Sequence, residues 1–134
     1  RHDGQATDTL ELSPGVHMLA DTDVDDRGHP RIQLAHRLLE TGPADDWERL
    51  RGRLAAIMGH HGDDRHDAAA VCCHGSTGGT VSSSLIALRG QGLAGSQFWF
   101  AAGPPCQAPY VDLSGQLQQP PSAPPDPVGP PPAA

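Results

Sequence analysis

The stretch Gly79-Thr80-Val81-Ser82-Ser83-Ser84-Leu85-Ile86-Ala87-Leu88, followed after a Gly-rich turn by Phe98-Trp99-Phe100-Ala101-Ala102-Gly103-Pro104-Pro105-Cys106, decides the fold. It reads as the two strands of a hairpin. Side chains alternate across a strand, so Val81, Ser83, Leu85 and Ala87 share one face, and Thr80, Ser82, Ser84, Ile86 and Leu88 the other. Both faces are small or apolar toward the end of the first strand, which predicts an inner strand.

Upstream of the hairpin, residues 68–74 form a run of small apolar side chains that reads as a buried strand leading through Gly75-Ser76-Thr77-Gly78. Residues 10–20 read as two short strands around the turn Ser13-Pro14-Gly15. Between these blocks lie two helices. Pro30 suits a first helical turn, and Ile32, Ala35, Leu38 and Leu39 recur at helical spacing up to Glu40, where Thr41-Gly42-Pro43 stops the helix. The second helix is predicted from Asp45 as cap with Glu48 three residues on, and from the stripe Trp47, Leu50, Leu54 and Ile57 through Met58. Gly52 in its middle costs about 1 kcal/mol relative to Ala. Strands and helices in separate blocks predict an α+β fold, an antiparallel sheet packed with two helices.

The boundaries follow from composition. Residues 1–9 are a polar N-terminal segment, residues 10–117 are the foldable part, and residues 118–134 are a Pro-rich tail expected to be disordered and extended. A core of this size is feasible, though only one Tyr, two Phe and two Trp are available to fill it. A start at Arg1 without Met is what a fragment or processed product shows. The formal charge of −7 argues against nucleic acid as a partner. No apolar run approaches the length of a bilayer crossing, so no membrane partner is expected, and a soluble, cytoplasmic protein is the default. All nine basic residues are Arg, with neither Lys nor Asn, as in coding bias of a GC-rich genome. Three cysteines, two of them adjacent, do not make a disulfide framework; reduced thiols are the simpler reading.

Few residue sets invite chemistry. The loop containing His60, His61, Asp63, Asp64, His66 and Asp67 has imidazole and carboxylate ligands that suit zinc or nickel. Adjacent His60 and His61 do not readily aim at one ion from a regular element, so a solvated loop is the plainer reading. A stand-alone metal-binding module using His60, His61, Asp63 and His66 is the alternative. Asp21, Asp23, Asp25 and Asp26 lack the Gly and Glu of a calcium loop and read as an acidic turn leading into the Pro30 helix. Along an extended segment Cys72 and His74 share a side while Cys73 faces away, and packing is favoured over nucleophilic chemistry. Ser82, Ser83 and Ser84 have no nucleophile-elbow context; Thr80, Ser82 and Ser84 are candidates to line a small-molecule pocket. No catalytic set and no cofactor motif emerges.

Three co-linear segments resemble the NRDE-motif family, bacterial relatives of the transport-and-Golgi-organization proteins. They are Leu12-Ser13-Pro14-Gly15-Val16-His17-Met18-Leu19, His29-Pro30-Arg31-Ile32, and the hairpin, Gly79 to Leu88 with Trp99-Phe100-Ala101-Ala102-Gly103-Pro104-Pro105. The resemblance implies the C-terminal half of a sandwich similar to N-terminal-nucleophile hydrolases, with the missing N-terminal half of the domain as its partner. Family members begin Met-Cys-Thr and carry an Asn-Arg-Asp-Glu segment, and neither is present here. A terminal thiol attacks with its own α-amino group as base in that mechanism, so this chain alone is expected to be non-catalytic. A truncated, nonfunctional product exposing apolar edges is a further expectation.

Overall fold

The structure, a computed structural model, describes residues 7, 9–42, 46–63, 68–90 and 93–117. The elements run α1 (Pro30–Leu39), α2 (Trp47–Met58), β1 (Ser83–Ala87), β2 (Gln97–Ala101), β3 (Val111–Asp112) and α3 (Ser114–Leu117). The fold is α+β, a three-stranded antiparallel sheet ordered β1-β2-β3 with helices against it.

The hairpin forms where its alternation places it. Ser83 pairs with Ala101, Leu85 with Trp99 and Ala87 with Gln97. Ser83 and Leu85 point inward and are buried, while Ser84 and Ile86 are exposed. β1 is therefore an edge strand with one wet face, not the inner strand that its small residues predict. Its inner face is pinned by the Tyr110 hydroxyl, which donates to Ser83 Oγ at 2.6 Å. β3 and α3 were not anticipated. A two-residue strand has no period to read, and it is held by Leu113 N–H donating to Phe98 O and by Phe98 N–H donating to Ser114 Oγ.

α1 starts at Pro30, which needs no N–H partner in the first turn. α2 is capped by Asp46, whose carboxylate accepts from Arg49 N at 2.8 Å. The expected cap, Asp45, lies outside the described residues, and Glu48 pairs with Arg51 instead of closing a capping box. Gly52 is exposed with open space around its Cα, so its cost is conformational only. Arg53 reaches from α2 to accepting carbonyls of Leu39 and Gly42, a cation on the C-terminal carbonyls of α1 that locks the two helices together.

Two expected strand regions are irregular. Residues 10–20 form bends, because Leu10, Leu12, Val16 and Leu19 are exposed and supply no buried face. That segment is tied by side chains instead. His17 contacts Ser13 O and Asp25, and Asp25 accepts from Met18 N. Asp25 itself has φ +58°, a turn conformation Asp tolerates. Residues 68–74 form no strand either, since their backbone groups bond elsewhere. Val71 and Cys72 both donate to His60 O, Ala70 O accepts from Arg31 Nε, and Cys73 pairs with Thr80. The one strand-like feature described there is an isolated antiparallel bridge between His74 and Gly79.

The core is small. Among the described residues the buried apolar side chains are Ile32, Leu34, Ile57, Ala70, Cys72, Leu85 and Ala101. No described helix is long and apolar enough to cross a membrane.

Candidate metal centre

Four ligand-type side chains converge where the end of α2, the irregular 68–74 segment and the turn after β2 meet. They are His61, Cys72, His74 and Cys106, and their ligand atoms all lie within 4.8 Å of one another. His61 Nε2 and His74 Nε2 are 3.1 Å apart, Cys72 Sγ and Cys106 Sγ 3.5 Å, Cys72 Sγ and His74 Nε2 3.7 Å, and His74 Nε2 and Cys106 Sγ 3.2 Å.

Each residue arrives by a local device. Gly59 ends α2 beside the Cys106 turn, where a Cβ would stand in ordinary contact at 3.5 Å from Pro105 O and 3.6 Å from Cys106 Cα. The chain then turns through His60 to His61. Cys72 is fixed by its N–H to His60 O, so the residue next to one ligand anchors another. Cys72 and His74, two apart in the irregular segment, bring Sγ and Nε2 to 3.7 Å, and Cys73 turns away to donate to Ala70 O and receive Arg31 Nη2. The 74–79 loop is closed by glycines that no other residue replaces easily. A Cβ on Gly75 would lie 2.8 Å from Gly78 O, and one on Gly79 2.7 Å from Cys73 O. Cys106 sits in a turn in which Gln107 N and Ala108 N both donate to Pro104 O.

Burial, and then the adjacent Cys106 thiol, push the Cys72 thiol above its ordinary range. A divalent ion reverses that preference, because a coordinating thiol is deprotonated outright. Zinc holds sulfur at about 2.3 Å and imidazole nitrogen at about 2.0–2.1 Å, so a tetrahedral set spaces two sulfurs by about 3.8 Å, two nitrogens by about 3.3 Å and unlike pairs by about 3.6 Å. His61–His74, Cys72–Cys106 and His74–Cys106 are shorter than those spacings and Cys72–His74 is slightly longer, with all the ligand atoms within 4.8 Å of one another. Cys72 is fully buried and Cys106 is exposed, so the site straddles core and surface.

The residues singled out from sequence part company here. His61 belongs to the cluster. His60 does not, since its Nδ1 accepts from Gly62 N, and Asp63 is exposed and outside the cluster. His66 lies outside the described residues. The local loop was the wrong unit: three of the four cluster members come from elsewhere in the chain. Cys-x-His on one face was the legible signal, but nothing in the sequence links it to Cys106. Thr80 stands beside the centre, its Oγ1 accepting from Cys73 N, whereas Ser82, just before β1, and Ser84, within it, are exposed and outside the cluster. A cleft of about 750 Å³ lies between Leu10, Leu19 and the acidic turn around Asp21 and Asp23, remote in sequence from every cysteine.

The chain matches no family model, no curated protein and no solved structure.

Proposed function

We propose that this chain is a small metal-binding module in which His61, Cys72, His74 and Cys106 hold one zinc ion as a structural staple. The observation that carries the reading is the approach of two imidazole nitrogens and two thiol sulfurs from three chain segments to within 4.8 Å of one another. Four protein ligands leave no open position for substrate, which is the arrangement of structural sites and not of catalytic ones. Soft sulfur and borderline imidazole select zinc over magnesium or calcium. A small core gives the staple its purpose: in such domains the binding free energy of the ion is folding free energy.

Cobalt substitution tests this. Titration of the reduced chain with Co²⁺ is expected to saturate at one ion per chain with the intense visible bands of tetrahedral cobalt and a thiolate charge-transfer band in the near ultraviolet. His61→Ala and Cys106→Ser should each remove that spectrum, and His60→Ala should keep it. Octahedral cobalt bands, or a spectrum indifferent to Cys106, would defeat the reading.

A second reading has its own support. Val81, Ile86, Leu88 and Val111 are exposed, and one edge of β1 is unpaired among the described residues. That surface suits the C-terminal half of an NRDE-family domain contributing core and pocket walls to a larger sandwich, with any catalysis supplied by a terminal Cys elsewhere. Robust amide hydrolysis by these 134 residues alone would contradict it. The two readings are compatible, because none of the four cluster residues is among those exposed apolar side chains.

A further inference from the structure

We infer that Cys106 is an oxidation site for hydroperoxides and that Cys72 resolves it into an intramolecular disulfide, releasing the metal; the release rests on the zinc reading above, while the disulfide does not. The two sulfurs are 3.5 Å apart, about 1.5 Å from bonding distance, and they come from residues 34 apart in sequence. Their exposures are opposite. Cys106 lies in a surface turn, and Cys72 has no exposed area at all. A peroxide therefore reaches Cys106 and not Cys72, which fixes the order of events.

In the first step the Cys106 thiolate attacks one peroxide oxygen. The O–O bond breaks, the leaving oxygen departs as hydroxide or alkoxide and takes up a proton, and Cys106 becomes a sulfenic acid. In the second step the Cys72 thiolate attacks the Cys106 sulfur, forms the S–S bond and expels hydroxide, which is protonated to water. Two electrons pass from the sulfur pair to the peroxide. For hydrogen peroxide the sum is two thiolates, one peroxide and two protons giving one disulfide and two waters. A disulfide has no thiolate to offer a metal, so His61 and His74 alone remain as ligands, and two imidazoles hold zinc far more weakly than the full set.

Cys73 takes no part. Its sulfur is turned to Ala70 O and to the Arg31 guanidinium, away from the pair. This division of labour among three cysteines is what distinguishes the proposal from general thiol oxidation, and it is open to direct test.

The full reduced chain, loaded with zinc, is treated with stoichiometric hydrogen peroxide. Released zinc is followed with a chromogenic chelator and the products are mapped by mass spectrometry. The expected result is a monomer lighter by two hydrogens, a Cys72–Cys106 peptide link, one zinc released per chain, and recovery of zinc uptake after reduction. Cys73→Ser should behave like the parent. Cys72→Ser should stop at a Cys106 sulfenic acid that dimedone traps, and if that variant does not fold, dimedone trapping early in the parent reaction must label Cys106 and not Cys72. A link through Cys73, an intermolecular disulfide, or Cys106 carried to sulfinic acid with Cys72 still reduced overturns the proposal. A reduced chain that takes up no zinc but forms the Cys72–Cys106 link defeats the metal reading and leaves the oxidation site standing.

Discussion

Withdrawing the metal should cost this fold a measurable share of its stability. The ligands come from three segments, with His61 and His74 separated by 13 positions and Cys72 and Cys106 by 34. An ion that binds only the folded arrangement stabilises it by mass action, about 2.7 kcal/mol when free metal is one hundred times its dissociation constant. For a foldable stretch of this size 1 kcal/mol moves the melting midpoint by about 4 °C, so chelation should lower Tm by about 10 °C. Circular dichroism melts of the reduced chain, with buffered zinc and with excess chelator, give the number. The internal control is a cycle. In His61→Ala the parent's chelator-induced drop should vanish, because there is no assembled site left to empty, whereas in His60→Ala it should persist. A midpoint indifferent to chelator in the parent, or an equal drop in His61→Ala, refutes the staple.

Other consequences are smaller and separate. Gly79→Ala places a methyl about 2.7 Å from Cys73 O, so it should shift the 74–79 loop, weaken cobalt binding at least tenfold and destabilise by about 1–3 kcal/mol; unchanged cobalt affinity would show that the loop does not set His74. Tyr110→Phe removes the hydrogen bond to buried Ser83 Oγ and should cost about 1–2 kcal/mol in denaturant melts, with metal uptake intact. The His17–Asp25 pair predicts a pH window. The bond to Asp25, and then Ser13 O, raises the His17 pKa above 6.5, so its contribution is full below 6.5 and fades as pH rises through the raised value. The bond to His17, and then Met18 N, lowers the Asp25 pKa below 3.8, so that contribution is full above 3.8 and fades as pH falls through the lowered value. Asp25→Asn, which tolerates the same backbone, should therefore differ most from the parent between pH 3.8 and 6.5, and a difference that grows above pH 8 would contradict the pair.

Residues with a period or a cap chemistry were legible in the sequence, and residues placed by tertiary closure were not. α1 begins at Pro30 and α2 ends at Met58, as the apolar spacing indicates, and the faces of β1 alternate as the sequence alternates. The errors have a common cause. Residues 10–20 and 68–74 carry strand-like composition, yet their backbone groups are claimed by Asp25, His60, Arg31 and Thr80, all of them side chains or loops that propensity does not weigh. β1 reads as interior because serine is small, but small residues tolerate an exposed face as readily as a crowded one. The centre itself shows the limit most clearly. Of the adjacent pair only His61 joins the cluster, and Cys72 and His74 meet at 3.7 Å although the segment that carries them is not a strand. No local rule joins His61 to a pair 11 and 13 residues on, or either to Cys106, since that meeting depends on how the end of α2 packs against the turn after β2.

The placement of the cluster bears on why so small a core suffices. Cys72 is at once a core side chain, beside Ala70, Leu85 and Ala101 among the buried set, and a ligand-type sulfur. Binding an ion there fixes the irregular 68–74 segment against α2 and against the turn after β2, joining the helices to the sheet at a point where no ladder hydrogen bonds do so. If a Cys72–Cys106 bond replaces the ion, the sheet side keeps its tie to the 68–74 segment, and a loop of this length constrains the unfolded chain by about 4 kcal/mol. The contact from His61 is what oxidation gives up. Hydrogen exchange should then show protection retained in β1 and β2 but lost at the end of α2, around Ile57 and Met58, in the oxidised form; uniform loss across both regions would mean that the ion and the disulfide hold the same parts of the fold, contrary to the geometry.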